Sequence, residues 1–132
     1  MTHELFFDGA CQPNPGKGGA GAVLYENGKE IWSSSAYIGE NETNNTTEYK
    51  GLILGLTEVA KRKLTTVHVK GDSQLVLYQL TGKYKVKHPR LKPLYQQAKT
   101  IENSGIQIEY SHVLRKDNQR ADDLSKIALE QN

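Results

Sequence analysis

A chain of 132 residues is long enough for one domain around one core, and 36% apolar with 24% charged residues excludes a disordered polymer. No apolar run approaches the ~20 residues of a membrane helix, "MTHELFF" has no signal-peptide pattern, and the single cysteine, Cys11, excludes an internal disulfide. A cytoplasmic protein with no membrane partner is expected. The net charge of +2 says little about partners by itself, but its distribution says more. Between Ser73 and Ile101 there is no acid, while Lys83, Lys85, Lys87, Arg90, Lys92 and Lys99 all fall there. Such a stretch suits an anionic polymer, or is simply a solvated lysine-rich loop.

In chain order, "HELFFD" reads as a buried strand ending on Asp8, and "GAGAVLY" as a second strand. Asn27–Gly28 is a hairpin signal, leading into a third strand, "KEIWSSSAYI". In "ETNNTTEYKGLILGLTEVAKRK" the period changes: Tyr49, Leu52, Ile53, Leu56, Val59 and Ala60 recur at helical spacing behind the capping residues Thr43, Asn44 and Asn45. A short strand, "TVHVKGD", is followed by a helix, "SQLVLYQL", that breaks at Thr81–Gly82. "PRLKPLYQQAKTIEN" predicts a helix opening on Pro89 and closed by Gly105. "IQIEYSHV" is a last strand, and "NQRADDLSKIALEQ" a last helix with Asn118 as its cap. The order β-β-β-α-β-α-α-β-α implies an α/β fold: a five-stranded mixed sheet, three antiparallel strands then two parallel, flanked by helices, in a single domain over 1–132.

Four acids have unusual settings. Asp8 and Asp72 end strands, Glu48 lies near the start of the long helix, and Asp122 lies in the first turns of the last one. If the first and fourth strands are parallel neighbours, their C-terminal ends bring Asp8 and Asp72 together, at the edge where open α/β sheets keep their sites. Clustered carboxylates raise one another's pKa unless a cation lies between them. Mg²⁺ suits such oxygen donors, and two ions about 4 Å apart serve phosphodiester cleavage. Singly, each acid has a plainer reading: Glu48 favours the helix dipole, and Asp72 caps the next helix. Gly9, Gly16, Gly18, Gly19 and Gly21 would clear a path for a nucleic-acid strand beside Asp8. Gly51 and Gly55, on the same side of the helix as Glu48, imply close packing of helix on sheet.

Together "DGACQPNPGKGGAG", "TNNTTEY", "KGDSQLV" and "NQRADDLS" resemble the four motifs of the type 1 ribonuclease H family, across nearly the whole chain. The resemblance implies a ribonuclease H-like fold and an endonuclease that cleaves the RNA strand of RNA–DNA hybrids, leaving a 3′-hydroxyl and a 5′-phosphate. It implies two divalent ions, Mg²⁺ or Mn²⁺, on Asp8, Glu48, Asp72 and Asp122, with Asp122 rather than Asp123 following the "RA" of the fourth motif. Asn14, Asn44 and Asn45 would meet the minor groove, where 2′-hydroxyls tell RNA from DNA. Thr43 would meet a DNA-strand phosphate. Lys83, Lys85 and Lys87 are candidate phosphate contacts within "LTGKYKVKHPRLKP", a short tryptophan-free segment resembling the compact form that lacks a basic protrusion. His112, ten residues before Asp122, is either the family's proton-shuttling histidine or a structural one. No nucleotide cofactor is implied, and a monomer is expected. The alternative is a paralogue that binds nucleic acid with weak or no cleavage.

Overall fold

The computed structural model describes residues 2–130. Five strands, β1 (His3–Gln12), β2 (Gly16–Glu26), β3 (Lys29–Glu42), β4 (Thr66–Gly71) and β5 (Gln107–His112), form one sheet in the order β3-β2-β1-β4-β5. β1–β2 and β2–β3 are antiparallel; β1–β4 and β4–β5 are parallel. The helices are α1 (Asn44–Lys61), α2 (Gln74–Leu80), α3 (Lys92–Glu102) and α4 (Gln119–Glu130). Among the described residues no helix is long and apolar enough to cross a membrane.

Alternation along β1 sorts the two faces. Leu5 and Phe7 are fully buried in the main core with Leu52, Leu56 and Val59 of α1 and Val67 and Val69 of β4. Phe6 turns to the other face, where a smaller core joins Val23 to Ala121 and Leu124 of α4. β2 is covered on both faces, and Ala22, Val23 and Leu24 are all fully buried. The hairpin forms at Asn27 and Gly28, both at positive φ (52° and 82°), as its two-residue turn requires.

Several boundaries differ from those read in the sequence. β1 does not end at Asp8: it runs on to Gln12, paired with β2 as far as Gln12–Lys17. The parallel ladder with β4, however, stops at Phe6–Lys70. Two residues further along the chain in each case stand Asp8, within β1, and Asp72, just past the end of β4, so the acids still meet where the two strands part. α3 starts at Lys92 with Pro93 in its first turn rather than at Pro89, because His88 to Leu91 form a turn in which the Leu91 and Lys92 amides donate to the His88 carbonyl. A 3-10 turn, Arg115–Asp117, precedes α4.

The glycines around Asp8 are required by packing within the protein. A Cβ on Gly9 would collide with the backbone of Thr47 and Glu48 in α1, and one on Gly18 would meet Glu42 and Thr47. Gly19 and Gly21 face the backbone of Ser125 and Ala121 in α4, and Gly16 faces Pro13. Gly51 and Gly55 lie on Asp8 and Leu5 of β1, the close helix–sheet approach expected of them.

Candidate active site

α1 is started by Thr43 alone. Its hydroxyl accepts from the Thr46 amide (3.2 Å), while its own amide donates to the Thr46 hydroxyl (2.9 Å). Asn44 and Asn45 therefore belong to the first turn and are not caps, which leaves their side chains available. Glu48, the fifth residue of the helix, lies beyond the first turn. Ser73, not Asp72, caps α2, its hydroxyl accepting from the Val76 amide at 3.4 Å. The cap roles that offered plain explanations for Asp72, Asn44 and Asn45 are thus filled by neighbours.

Asp8, Glu48 and Asp72 converge: each places a carboxylate oxygen within 4.8 Å of the other two. Asp8 is only 4% exposed and accepts the Gly9 amide at 2.9 Å. Burial, then the charge of Asp72, pushes its pKa from the usual 3.8 to about 7. Burial and the charge of Asp8 likewise hold the Glu48 carboxyl well above the usual range. Oε1 of Glu48 is buried without a hydrogen-bond partner. A buried acceptor with no donor, beside two further acids, suits a cation, and all-oxygen donors fit Mg²⁺ or Mn²⁺.

Asp122 lies in the same cleft, of about 490 Å³, but outside that triad. It is buried, with Lys126 Nζ at 2.9 Å from one oxygen and an Arg115 guanidinium nitrogen at 3.9 Å from the other. Asp123 is exposed. His112, the last residue of β5, is exposed on the cleft wall with its Nε2 3.3 Å from the Asp72 carbonyl oxygen. It does not belong to the core.

Asn14 and Asn44 meet: the Asn44 amide donates to Asn14 Oδ1 at 3.3 Å, with Asn45 beside them in the first turn. Lys83, Lys85 and Lys87 are exposed on the loop after α2, and none of them lines the cleft. Lys83 lies over the Tyr78 ring, 4.6 Å from its centre. The far end of this loop returns toward α1, where Arg90 donates to the Asn41 carbonyl at 2.6 Å.

Sequence reading missed several residues here. The spacing of Lys126 from Asp122, one helical turn, was a legible signal. Arg115 gave none, because the 3-10 turn that carries it has no periodicity. Asn118 stands at the cap position of α4, its carbonyl accepting from the Asp122 amide at 3.0 Å. Its side chain, a role the sequence did not show, is 1% exposed and donates to the Phe7 carbonyl at 3.0 Å, tying the start of α4 to the residue before Asp8.

A family model described as reverse transcriptase-like matches residues 6–128. Ribonuclease H of Pseudomonas savastanoi pv. phaseolicola is 34% identical over 144 residues, covering 97% of this chain and 93% of that protein. Ribonuclease HI of Halobacterium salinarum is also 34% identical, over 96% of this chain and 64% of that protein. The chain belongs to the type 1 ribonuclease H family. A bifunctional protein of Mycobacterium tuberculosis is 40% identical over 93% of the chain, which spans only 34% of that relative's length.

Solved ribonuclease H structures repeat the fold. The Halobacterium salinarum ribonuclease H1 superimposes with a TM-score of 0.94 at 34% identity over 100% of both chains. LC11-RNase H1, solved in complex with an RNA/DNA hybrid, gives 0.93 at 35% identity over 98% of each. End-to-end coverage agrees with a compact ribonuclease H, in which only the loop 81–91 separates α2 from α3.

Proposed function

We propose that this ribonuclease H domain is a metal-dependent endonuclease that hydrolyses the RNA strand of RNA–DNA hybrids, acting as a monomer. The observation that carries the reading is the triad of Asp8, Glu48 and Asp72 around a buried, unpaired Glu48 oxygen, in a cleft that also holds Asp122 and Asn44. The names of the relatives support it, as does the hybrid bound by LC11-RNase H1.

Asp8, Glu48 and Asp72 would hold the divalent cations, with Asp122 completing the set from α4. When bound, two such ions supply Lewis acidity for attack by water and for departure of the 3′-oxygen, leaving a 5′-phosphate. The chain's own residues do the rest. Asn14, Asn44 and Asn45 hydrogen-bond the minor-groove edge and the 2′-hydroxyls, which selects RNA in one strand. Thr43 offers its hydroxyl hydrogen to a DNA-strand phosphate while the hydroxyl oxygen accepts the Thr46 amide and keeps the helix capped. His112, exposed on the cleft wall, takes or returns a proton near the leaving oxygen. Lys83, Lys85 and Lys87 add long-range attraction for the duplex from outside the cleft.

The last point favours a second reading, a paralogue that binds hybrids and cleaves them weakly, because no lysine of that loop reaches the cleft. Labelled RNA–DNA hybrid, duplex DNA and duplex RNA, each incubated with Mg²⁺, Mn²⁺ or chelator, separate the two. Metal-dependent cutting of hybrid RNA alone is expected. Binding without cutting would favour the paralogue, and equal cutting of duplex DNA would overturn both.

A further inference from the structure

Glu42 is a buried carboxylate that the chemistry above does not use. At the end of β3 it is 7% exposed, next to the cap of α1. Its Oε1 accepts from the Thr46 hydroxyl and from Lys50 Nζ, each at 3.0 Å. Its Oε2 faces the Arg90 guanidinium at 3.8 Å, and Arg90 also donates to the neighbouring Asn41 carbonyl. Its backbone carbonyl accepts from the Cys11 thiol at 3.1 Å, and Gly18 packs on its stem. Three segments far apart in sequence thus converge on one side chain: the strands around the Asn14 turn, the first turn of α1, and the end of the basic loop.

A buried acid at a helix start has an ordinary stabilising role, met here by Thr46 and Lys50 alone. Arg90 is not needed for that. It comes from another element, more than forty residues on, and its guanidinium reaches both Glu42 and the Asn41 carbonyl. Holding a flexible loop in its binding position before substrate arrives lowers the ordering cost of association.

We propose that Glu42 is a positioning residue for substrate reading. Through Arg90 it locks the basic loop onto the end of α1 that carries Thr43, Asn44 and Asn45, so that phosphate and sugar contacts are presented as one surface. This rests on the hybrid reading above.

The sign of the effect separates positioning from simple charge. Removing a negative charge near a polyanion site strengthens binding by Coulomb's law; loosening the loop weakens it. Glu42→Gln, Arg90→Gln and the double variant are compared by hybrid affinity in chelator and by KM and kcat with Mg²⁺. Each single variant is expected to weaken hybrid binding and raise KM about fivefold with kcat within about twofold, and the double variant to be no worse than either. Tighter or unchanged binding in Glu42→Gln, or strictly additive losses in the double variant, would overturn the proposal. Arg90 is exposed, so its variant reads the same contact if Glu42→Gln fails to fold. Affinity in chelator is measurable even if the wild-type protein cuts nothing, so a failure of the cleavage reading stays distinct.

Discussion

Gly51 of α1 lies directly against the carbonyl of Asp8: a Cβ there would overlap the Asp8 oxygen and come within 3.3 Å of the Gly21 oxygen. The helix that carries Glu48 and the strand that carries Asp8 touch backbone to backbone at this glycine. Helix propensity alone makes Gly51→Ala stabilising by ~1 kcal/mol. Overpacking against fixed backbone outweighs this, so a net loss of about 1–2 kcal/mol is expected, with reduced cleavage as Glu48 is pushed off Asp8. Urea unfolding and a hybrid assay check it; a stabilised, fully active variant would show that helix and strand have room between them.

Metal-free stability is expected to fall as pH rises. Unfolded, Asp8 releases its proton near 4; folded, it holds it to about 7. Between those values the native state binds more protons than the unfolded one, so stability is fully present below pH 4 and lost through pH 7. The loss is about 2–4 kcal/mol for Asp8, and Glu48, shifted the same way, extends it upward. Unfolding in chelator across this range should show the slope, Asp8→Asn should flatten it, and Mg²⁺ at pH 8 should restore what was lost. A flat wild-type profile would count against a strained, cation-seeking triad.

The adjacent acids of α4 separate cleanly in the structure, Asp122 buried in the cleft and Asp123 in solvent. Asp122→Asn is expected to cut metal-dependent cleavage by ~10²-fold or more, an effect of the size seen for essential groups. Because Lys126 and Arg115 already balance its charge, metal-free stability should stay within about 1 kcal/mol. Asp123→Asn should keep its activity and shift stability by no more than ~0.5 kcal/mol. Purified variants, each assayed on hybrid and melted, decide it. An active Asp122→Asn would mean the fourth carboxylate lies elsewhere.

His112→Ala should lower turnover ~10²-fold if the imidazole handles a proton at the leaving oxygen. Exposed as it is, its loss should alter stability by no more than ~0.5 kcal/mol. Single-turnover rates at saturating enzyme measure the chemical step. A folded variant with a normal rate would leave His112 as cleft wall only.

Replacing Lys83, Lys85 and Lys87 together with Gln should weaken hybrid binding and reduce its salt slope by up to about three charges' worth. Turnover at saturating substrate should change little, since none of the three lines the cleft. Affinities measured from low to high salt supply the slope, and an unaltered slope would return the segment to an ordinary solvated loop.

The element order of this protein was written in its local sequence. Period-two runs, the Asn27–Gly28 turn and the spacing from Tyr49 to Ala60 depend only on near neighbours, and the motifs marked Asp8, Glu48, Asp72 and Asp122 in the same way. What tertiary structure decided was which groups stand together. Asp8 looked like a strand end because apolar residues stop there, yet β1 continues to Gln12; the meeting with Asp72 comes from the β1–β4 ladder ending at Phe6–Lys70. The glycines near Asp8 suggest clearance for a ligand, but Gly9, Gly18, Gly19 and Gly21 receive α1 and α4, since a missing Cβ says that something comes close but not what. Asp122 has Lys126 one turn along its own helix and Arg115 from the turn before it, whereas the approach of α1 to the sheet leaves Glu48 with an unpaired oxygen beside Asp8. Register and helix docking are set by burial summed over the whole core, so no local stretch of the chain contains them.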